Sequence, residues 1–213
     1  MKTISILISG LVLAAFAVVG VTLVAVTHAA TAGRIAANDR MTMLKKLEAI
    51  VPAGSIGNDP IADRIEVQSQ DLLGSASTNV YRVRKEGEPV AVVLNPVVPD
   101  GYAGPIKLLV AVMRDGSLGG VRVVSHHETP GLGDKIEEQR SDWVLGFAGK
   151  SLGDPSEAQW KVRRDGGVFD QFTGATITPR SVVKAVANTL RFVQTQGEQL
   201  YAQPPVPADK GAS

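Results

Sequence analysis

From Ile4 to Val26 the chain carries no charged residue, and this constrains it more than any other feature. An apolar run of that length, at about 1.5 Å rise per residue, spans the hydrocarbon core of a bilayer as a helix. It exceeds the roughly 7–15-residue apolar region of a signal peptide, so we read it as an uncleaved anchor. The small residues Thr27-His28-Ala29-Ala30-Thr31-Ala32-Gly33 are the competing cue for cleavage. Lys2 precedes the span, whereas Arg34, Arg40, Lys45 and Lys46 follow it, so the positive-inside rule by itself would keep the body of the protein cytoplasmic.

The remainder reads as one globular body. A hydrophobic share of 44% against 20% charged residues suits a real core. Lys and Arg number 22 against 21 Asp and Glu, without a basic stripe, which argues against a nucleic-acid partner. With no cysteine, thiol catalysis, cysteine-ligated clusters, disulfides and N-terminal lipidation are excluded.

Ile35, Leu44, Leu47 and Val51 fall near helical spacing and Pro52 stops the run, predicting a helix that continues from the membrane or packs on the body. Residues 53–60 are turn-rich. Strands are predicted over 78–84, 89–97, 106–114 and 118–125, the last two joined by a hairpin at Asp115-Gly116-Ser117. Such hairpin-linked strands imply an antiparallel sheet. A helix is then predicted from a capping box at Asp134 and Glu137 through Ile136, Arg140, Trp143, Val144 and Phe147. A second covers Ser181–Gln196, through Val182, Val186, Leu190 and Val193. The class is α+β, with antiparallel sheet and packed helices behind a single N-terminal transmembrane helix.

The stretch 170–180, DQFTGATITPR, carries the chemistry. Thr178 is the predicted N-cap, with Pro179 in the first helical position. Thr173-Gly174-Ala175-Thr176 then forms a small-residue turn feeding a helix N-terminus, whose free N–H groups and positive dipole end suit a phosphate. Arg180 would add a cation. His126 and His127 alternate faces on a strand and cannot chelate one metal together, so no metal site is expected. Trp143 and Phe147, four apart, read as core.

Asp170-x-x-Thr173-Gly174-Ala175-Thr176 resembles the flavinylation signal of the FMN-binding domain family. Two further stretches are similar to that family: Glu128-Thr129-Pro130-Gly131-Leu132-Gly133, a loop beside the flavin, and Gly101-Tyr102-Ala103-Gly104-Pro105-Ile106, leading into a central strand. The resemblance implies FMN joined by phosphoester to Thr176, with Asp170, Thr173, Gly174 and Ala175 as the signal read by a flavin transferase. Glu128, Thr129, Leu132, Gly133, Thr178 and Arg180 become expected cofactor contacts, with Lys135 a further candidate near the loop. No residue is expected to be catalytic; Thr176 is modified and does not turn over.

Within the family the chain is most similar to flavin subunits of Rnf-type ion-translocating oxidoreductase complexes, whose other membrane subunits would be its partners. The C subunit of sodium-pumping NADH:quinone reductase is usually longer. A redox sensor built on the same domain would usually carry further spans or cysteine clusters, and a binding module would leave the threonine unmodified. The implied division is residues 1–30 as cytoplasmic N-terminus and anchor, 31–60 as juxtamembrane helix and linker, 61–200 as FMN-binding domain and 201–213 as disordered tail. The implied location is the bacterial inner membrane, single-pass, with the flavin domain on the periplasmic side, against the charge rule.

Overall fold

The structure, a computed structural model, describes residues 2–202. It divides into two compact units, Met1–Met43 and Leu44–Ser213. The first lies in helix α1 (Lys2–Glu48), which is long and apolar enough to cross a membrane. Its large side chains stand open, with Leu11 at 72% and Phe16 at 74% exposure. Leaving such groups in water forfeits about 1.5–3 kcal/mol each, which lipid restores. Thr27 and Thr31 return their hydroxyls to helix carbonyls, Thr27 to Leu23 O at 2.9 Å and Thr31 to Thr27 O at 2.8 Å, so neither leaves a donor unpaired. The predicted helix over 35–50 is the continuation of α1, which ends at Glu48, short of Pro52.

The second unit is built on an antiparallel sheet of β1 (Arg64–Ser69), β2 (Ser75–Lys85), β3 (Glu88–Leu94), β4 (Val97–Val98), β5 (Ile106–Met113) and β6 (Leu118–Ser125). A short helix α2 (Gln70–Leu73) joins β1 to β2; sequence periodicity signals neither it nor β1. β3 and β4 run along one edge of β5 in unbroken register, Leu94 facing Val110 and Val97 facing Lys107. They are one strand interrupted at Asn95-Pro96, because proline lacks the N–H that a ladder needs. The β5–β6 hairpin turns at Asp115-Gly116-Ser117 as expected. Gly116 takes φ +83°, and the Asp115 carboxylate accepts from the Ser117 N–H at 2.9 Å.

Both sheet faces are covered. On one, Val92, Leu94, Leu108, Val110 and Val121 meet α3 (Ile177–Gln196) through Val182, Val186 and Leu190, all nearly inaccessible. On the other, Gly119 and Gly120 have no side chain, which lets the backbone of Ile50 approach: a Cβ on Gly119 would stand 2.5 Å from Ile50 O. The closing helix α4 (Gln199–Ala202) takes in Tyr201 and Ala202, two residues that composition assigns to the tail. The rest of the expected tail lies outside the described residues.

The helix predicted from Asp134 to Phe147 is not there. Two 3₁₀ turns replace it, Gly133–Ile136 and Asp142–Phe147. Asp134 lies inside the first turn and does not cap it. Glu137 is extended, and Ser141 starts the second turn by accepting the Trp143 N–H at 3.3 Å while its hydroxyl donates to Lys135 O at 2.6 Å. Ile136, Val144 and Phe147 are nonetheless fully buried. Burial produces the helical spacing, and local side-chain capping overrides the helix.

Candidate functional site

Three segments gather at the sheet end where β5 begins and β6 finishes: residues 99–105, residues 126–133, and the turn leading into α3. Phe172, Thr173, Gly174 and Ala175 make a β-turn closed by the Ala175 N–H on Phe172 O at 3.2 Å. Gly174, third in the turn, takes φ +85°, the value a type II turn demands there. A Cβ on it would also lie 3.0 Å from Leu132 Cδ2. The turn is held from below: Phe172 sets its ring edge-on to Trp143 at 5.1 Å, and Trp143 Nε1 donates to Asp170 O at 2.8 Å. Trp143 packs equally on Phe147, at 5.2 Å, in agreement with its reading as core.

Helix α3 starts two residues earlier than predicted. Thr176 is the N-cap, and its side chain makes no capping hydrogen bond. Thr178, the predicted cap, is already inside the helix and wholly buried, and its hydroxyl donates to Glu128 Oε2 at 2.6 Å. Pro179 sits in the first turn, where its missing N–H has no intrahelical acceptor to disappoint. The shift has a physical cause: the buried Glu128 carboxylate captures Thr178, which leaves Thr176 to begin the helix.

Glu128, 5% exposed, fastens the three segments together. Besides Thr178 it accepts the Ala103 N–H at 3.1 Å, so its oxygens serve the protein. Its own N–H donates to His126 Nδ1 at 3.0 Å, which leaves the His126 Nε2 proton for Glu137 Oε1 at 2.8 Å. Two glycines make room for it. A Cβ on Gly133 would fall 2.5 Å from Glu128 Oε2, and one on Gly101 would fall 2.2 Å from Gly104 O and 3.0 Å from Glu128 Oε1.

Above this clamp opens a cavity of about 280 Å³, lined by Tyr102, Glu128, Thr129, Leu132 and Gly133 from two loops and by Gly174, Ala175, Thr176 and Ile177 from the turn. Stretches of chain some fifty residues apart thus share one concavity. Larger hollows exist, about 370 Å³ around Arg114 and Tyr201 and about 470 Å³ around Trp160 and Lys184, but neither receives a residue of the 128–133 loop or of the turn. Tyr102 and Ile177, 69% and 48% exposed, line the cavity without having been expected from sequence. The available signal for Tyr102 is an aromatic side chain within the Gly101–Ile106 motif.

Other expected residues lie elsewhere. Arg180 faces away from the cavity and grips Asp165 with two bonds, at 2.5 and 2.6 Å, and this pairing holds the Asp165 carboxyl below its usual range. It is therefore no contact to this cavity. Asp170 pairs with Arg163 at 3.1 Å and Thr173 is exposed on the turn; neither lines the cavity. Lys135 is likewise absent from the lining.

Comparison with known proteins matches residues 101–191 to the FMN-binding domain and residues 1–50 to the RnfG N-terminal region. A relative from Pseudomonas aeruginosa, the G subunit of an ion-translocating oxidoreductase complex, is 49% identical over 199 residues, 93% of each chain. The G subunit of the same complex from Vibrio cholerae is 45% identical over 92% of this chain and 94% of its own. The chain belongs to the family of ion-translocating oxidoreductase complex G subunits. The likeness runs nearly end to end: a Shewanella amazonensis member is 43% identical over 98% of this chain and 97% of its own. The resemblance to Rnf-type flavin subunits read from three short motifs is thereby borne out. The FMN-binding match takes in both the 128–133 loop and the turn before α3.

Proposed function

We propose that this chain is the flavin-carrying electron relay of an ion-translocating oxidoreductase complex, with FMN held by a phosphoester to the Thr176 hydroxyl. The observation that carries the reading is the cavity shared by the Glu128–Gly133 loop and the Gly174–Ile177 turn, with Thr176 in its wall. The residues present fit the group. Gly133 and Gly174 keep side chains out of the space, and Thr176 leaves its oxygen uncommitted at the N-terminus of a 20-residue helix. The N–H groups of that helix end and its dipole favour an anion, and with Arg180 tied to Asp165 they supply the main attraction. At about 280 Å³ the cavity is slightly smaller than usual ligand pockets, which suits a tethered group resting along one side. When bound, FMN supplies the electron-accepting and electron-donating chemistry.

The residues around it position and tune. Glu128 fixes the loops, and it places a buried carboxylate in the cavity wall, where it bears on the charge state of whatever binds. Leu132 packs beside the turn and limits water there. A flavin transferase is the partner that maturation requires, and the other membrane subunits are partners in electron flow. A covalent tether keeps the carrier from being lost and holds it at high effective concentration near them.

We place the flavin domain on the periplasmic side of the inner membrane. The absence of cysteine makes this directly testable. Ala158→Cys, at an exposed position, should react with a membrane-impermeant maleimide in right-side-out spheroplasts. Labelling that appears only after lysis would reverse the orientation.

A further inference from the structure

Beside the flavinylation turn lies a second groove, of about 470 Å³, between α3 and the loop that precedes the turn. Its α3 wall presents Arg180, Lys184, Ala187 and Arg191, spaced four, three and four apart and so on one helix face. Thr176 stands four residues before Arg180, and Lys184 is about 12 Å from Thr176 along the helix axis at 1.5 Å per residue. The opposite wall is Trp160, Lys161, Val162 and Asp165.

The charges here do not balance. Between residues 157 and 191 the chain has six cations against three acids, although the whole chain is nearly neutral at +1. Each acid is taken by an arginine: Asp165 by Arg180, Glu157 by Arg191 at 2.6 Å and Asp170 by Arg163. Among the described residues, Lys161 and Lys184 in the groove make no salt bridge.

The loop is also stiff. Val162 and Phe169 bridge, the Arg163 N–H reaches Phe169 O at 2.7 Å, and Gly167 sits so close that a Cβ would be 1.9 Å from Lys161 O. The backbone of Lys161 is thus fixed by the same loop that ends at Asp170, the first residue of the motif. The groove is basic, and both its walls lead along the chain to the turn that a modifying enzyme has to reach: the loop wall runs on to Asp170, and the α3 wall begins at Arg180, four residues after Thr176.

We infer that this groove is the docking surface for an acidic face of the flavin transferase, with Lys161 and Lys184, the two lysines outside its salt bridges, as contacts. The inference rests on the attachment of FMN at Thr176. In the reaction it serves, Thr176 Oγ1 bonds to the flavin-side phosphorus of FAD, the phosphoanhydride bond breaks with its electron pair going to AMP, and the threonine proton is released. Complementary charge acts mainly on the encounter rate and is screened by salt.

The test uses full-length apoprotein in detergent, the cognate flavin transferase and FAD, with covalent fluorescence followed over time. Lys161→Glu with Lys184→Glu should lower the second-order rate of flavin incorporation at low ionic strength about 10- to 100-fold, the scale of electrostatic steering. The alanine pair should lower it less, the final yield should be unchanged, and the salt dependence of the wild-type rate should flatten in both. Lys85→Glu, on a distant strand end, should leave the rate alone. Unchanged rate and salt dependence in both pairs would overturn the inference. So would normal flavin incorporation combined with slowed electron transfer in the assembled complex, which would assign the groove to an electron-transfer partner. Wild-type protein that takes up no flavin at Thr176 would remove the attachment reading itself, and is told apart from these by the wild-type lane alone.

Discussion

Thr176→Ala should yield a folded, colourless protein. Its band in a denaturing gel should show no flavin fluorescence, while the wild-type band fluoresces. The loss should be complete, because the variant removes the only oxygen through which the phosphate would be held. Folding should survive, for a reason visible in the structure. Replacing an N-cap residue by alanine ordinarily costs about 0.5–2 kcal/mol through its lost capping bond, but Thr176 makes no such bond. The melting temperature should therefore move by no more than a few degrees. Thr176→Ser keeps a hydroxyl in the same place and should retain covalent flavin. A fluorescent Thr176→Ala band of normal intensity would move the attachment elsewhere.

Gly133→Ala should be the most damaging small substitution at the site. Its new methyl would stand 2.5 Å from Glu128 Oε2, 2.9 Å from Glu128 Cβ and 3.2 Å from Thr178 Oγ1. Either the Glu128–Thr178 bond breaks inside a buried setting or the loop shifts off α3. Overpacking costs about 1–3 kcal/mol. A drop in melting temperature of roughly 5–10 °C is expected for a unit of this size. Flavin incorporation should fall with it, because the same clamp fixes where α3 begins. The clash is with one residue, which gives a sharper check. Adding Glu128→Ala to Gly133→Ala should cost less than the two single changes summed. Strict additivity, or a Gly133→Ala protein that melts and loads flavin like wild type, would mean that the clamp does not position Thr176.

Much of the fold is legible in the sequence because its signals are local. The charge-free run, the β-branched strands and the Asp-Gly hairpin declare themselves within a few residues, and helix α3 shows its buried face at helical spacing. Sequence and structure part where tertiary contacts decide. Ile136, Val144 and Phe147 have the spacing of a helix because all three are buried, yet Ser141 and the extended Glu137 divide the segment into 3₁₀ turns. β1 has only Ile65 fully buried, so its pattern is faint. At the site, Thr173–Thr176 is a turn in both sequence and structure, but a threonine before proline has the look of a cap, which puts the predicted helix start at Thr178. Glu128, fifty residues away, overrides that preference. Proximity in sequence assigns Arg180 to the phosphate, whereas the side chain belongs to Asp165 on another loop. No local pattern reports a partner that distant.

Carrying electrons and moving ions are separate tasks in such a complex. The Ile4–Val26 run has no internal charge, the kind of group that marks an ion path through a membrane, in keeping with an electron-relay subunit.

The central claim is a single covalent bond, and mapping it is the most direct test. Protein purified from native membranes and digested with trypsin should give the peptide Asp165–Arg180, which holds Thr173, Thr176 and Thr178. The expected result is a peptide heavier by one FMN less one water, with fragmentation putting the added mass on Thr176. Added mass on Thr173 or Thr178, or an unmodified peptide from protein that is otherwise active in its complex, would contradict it.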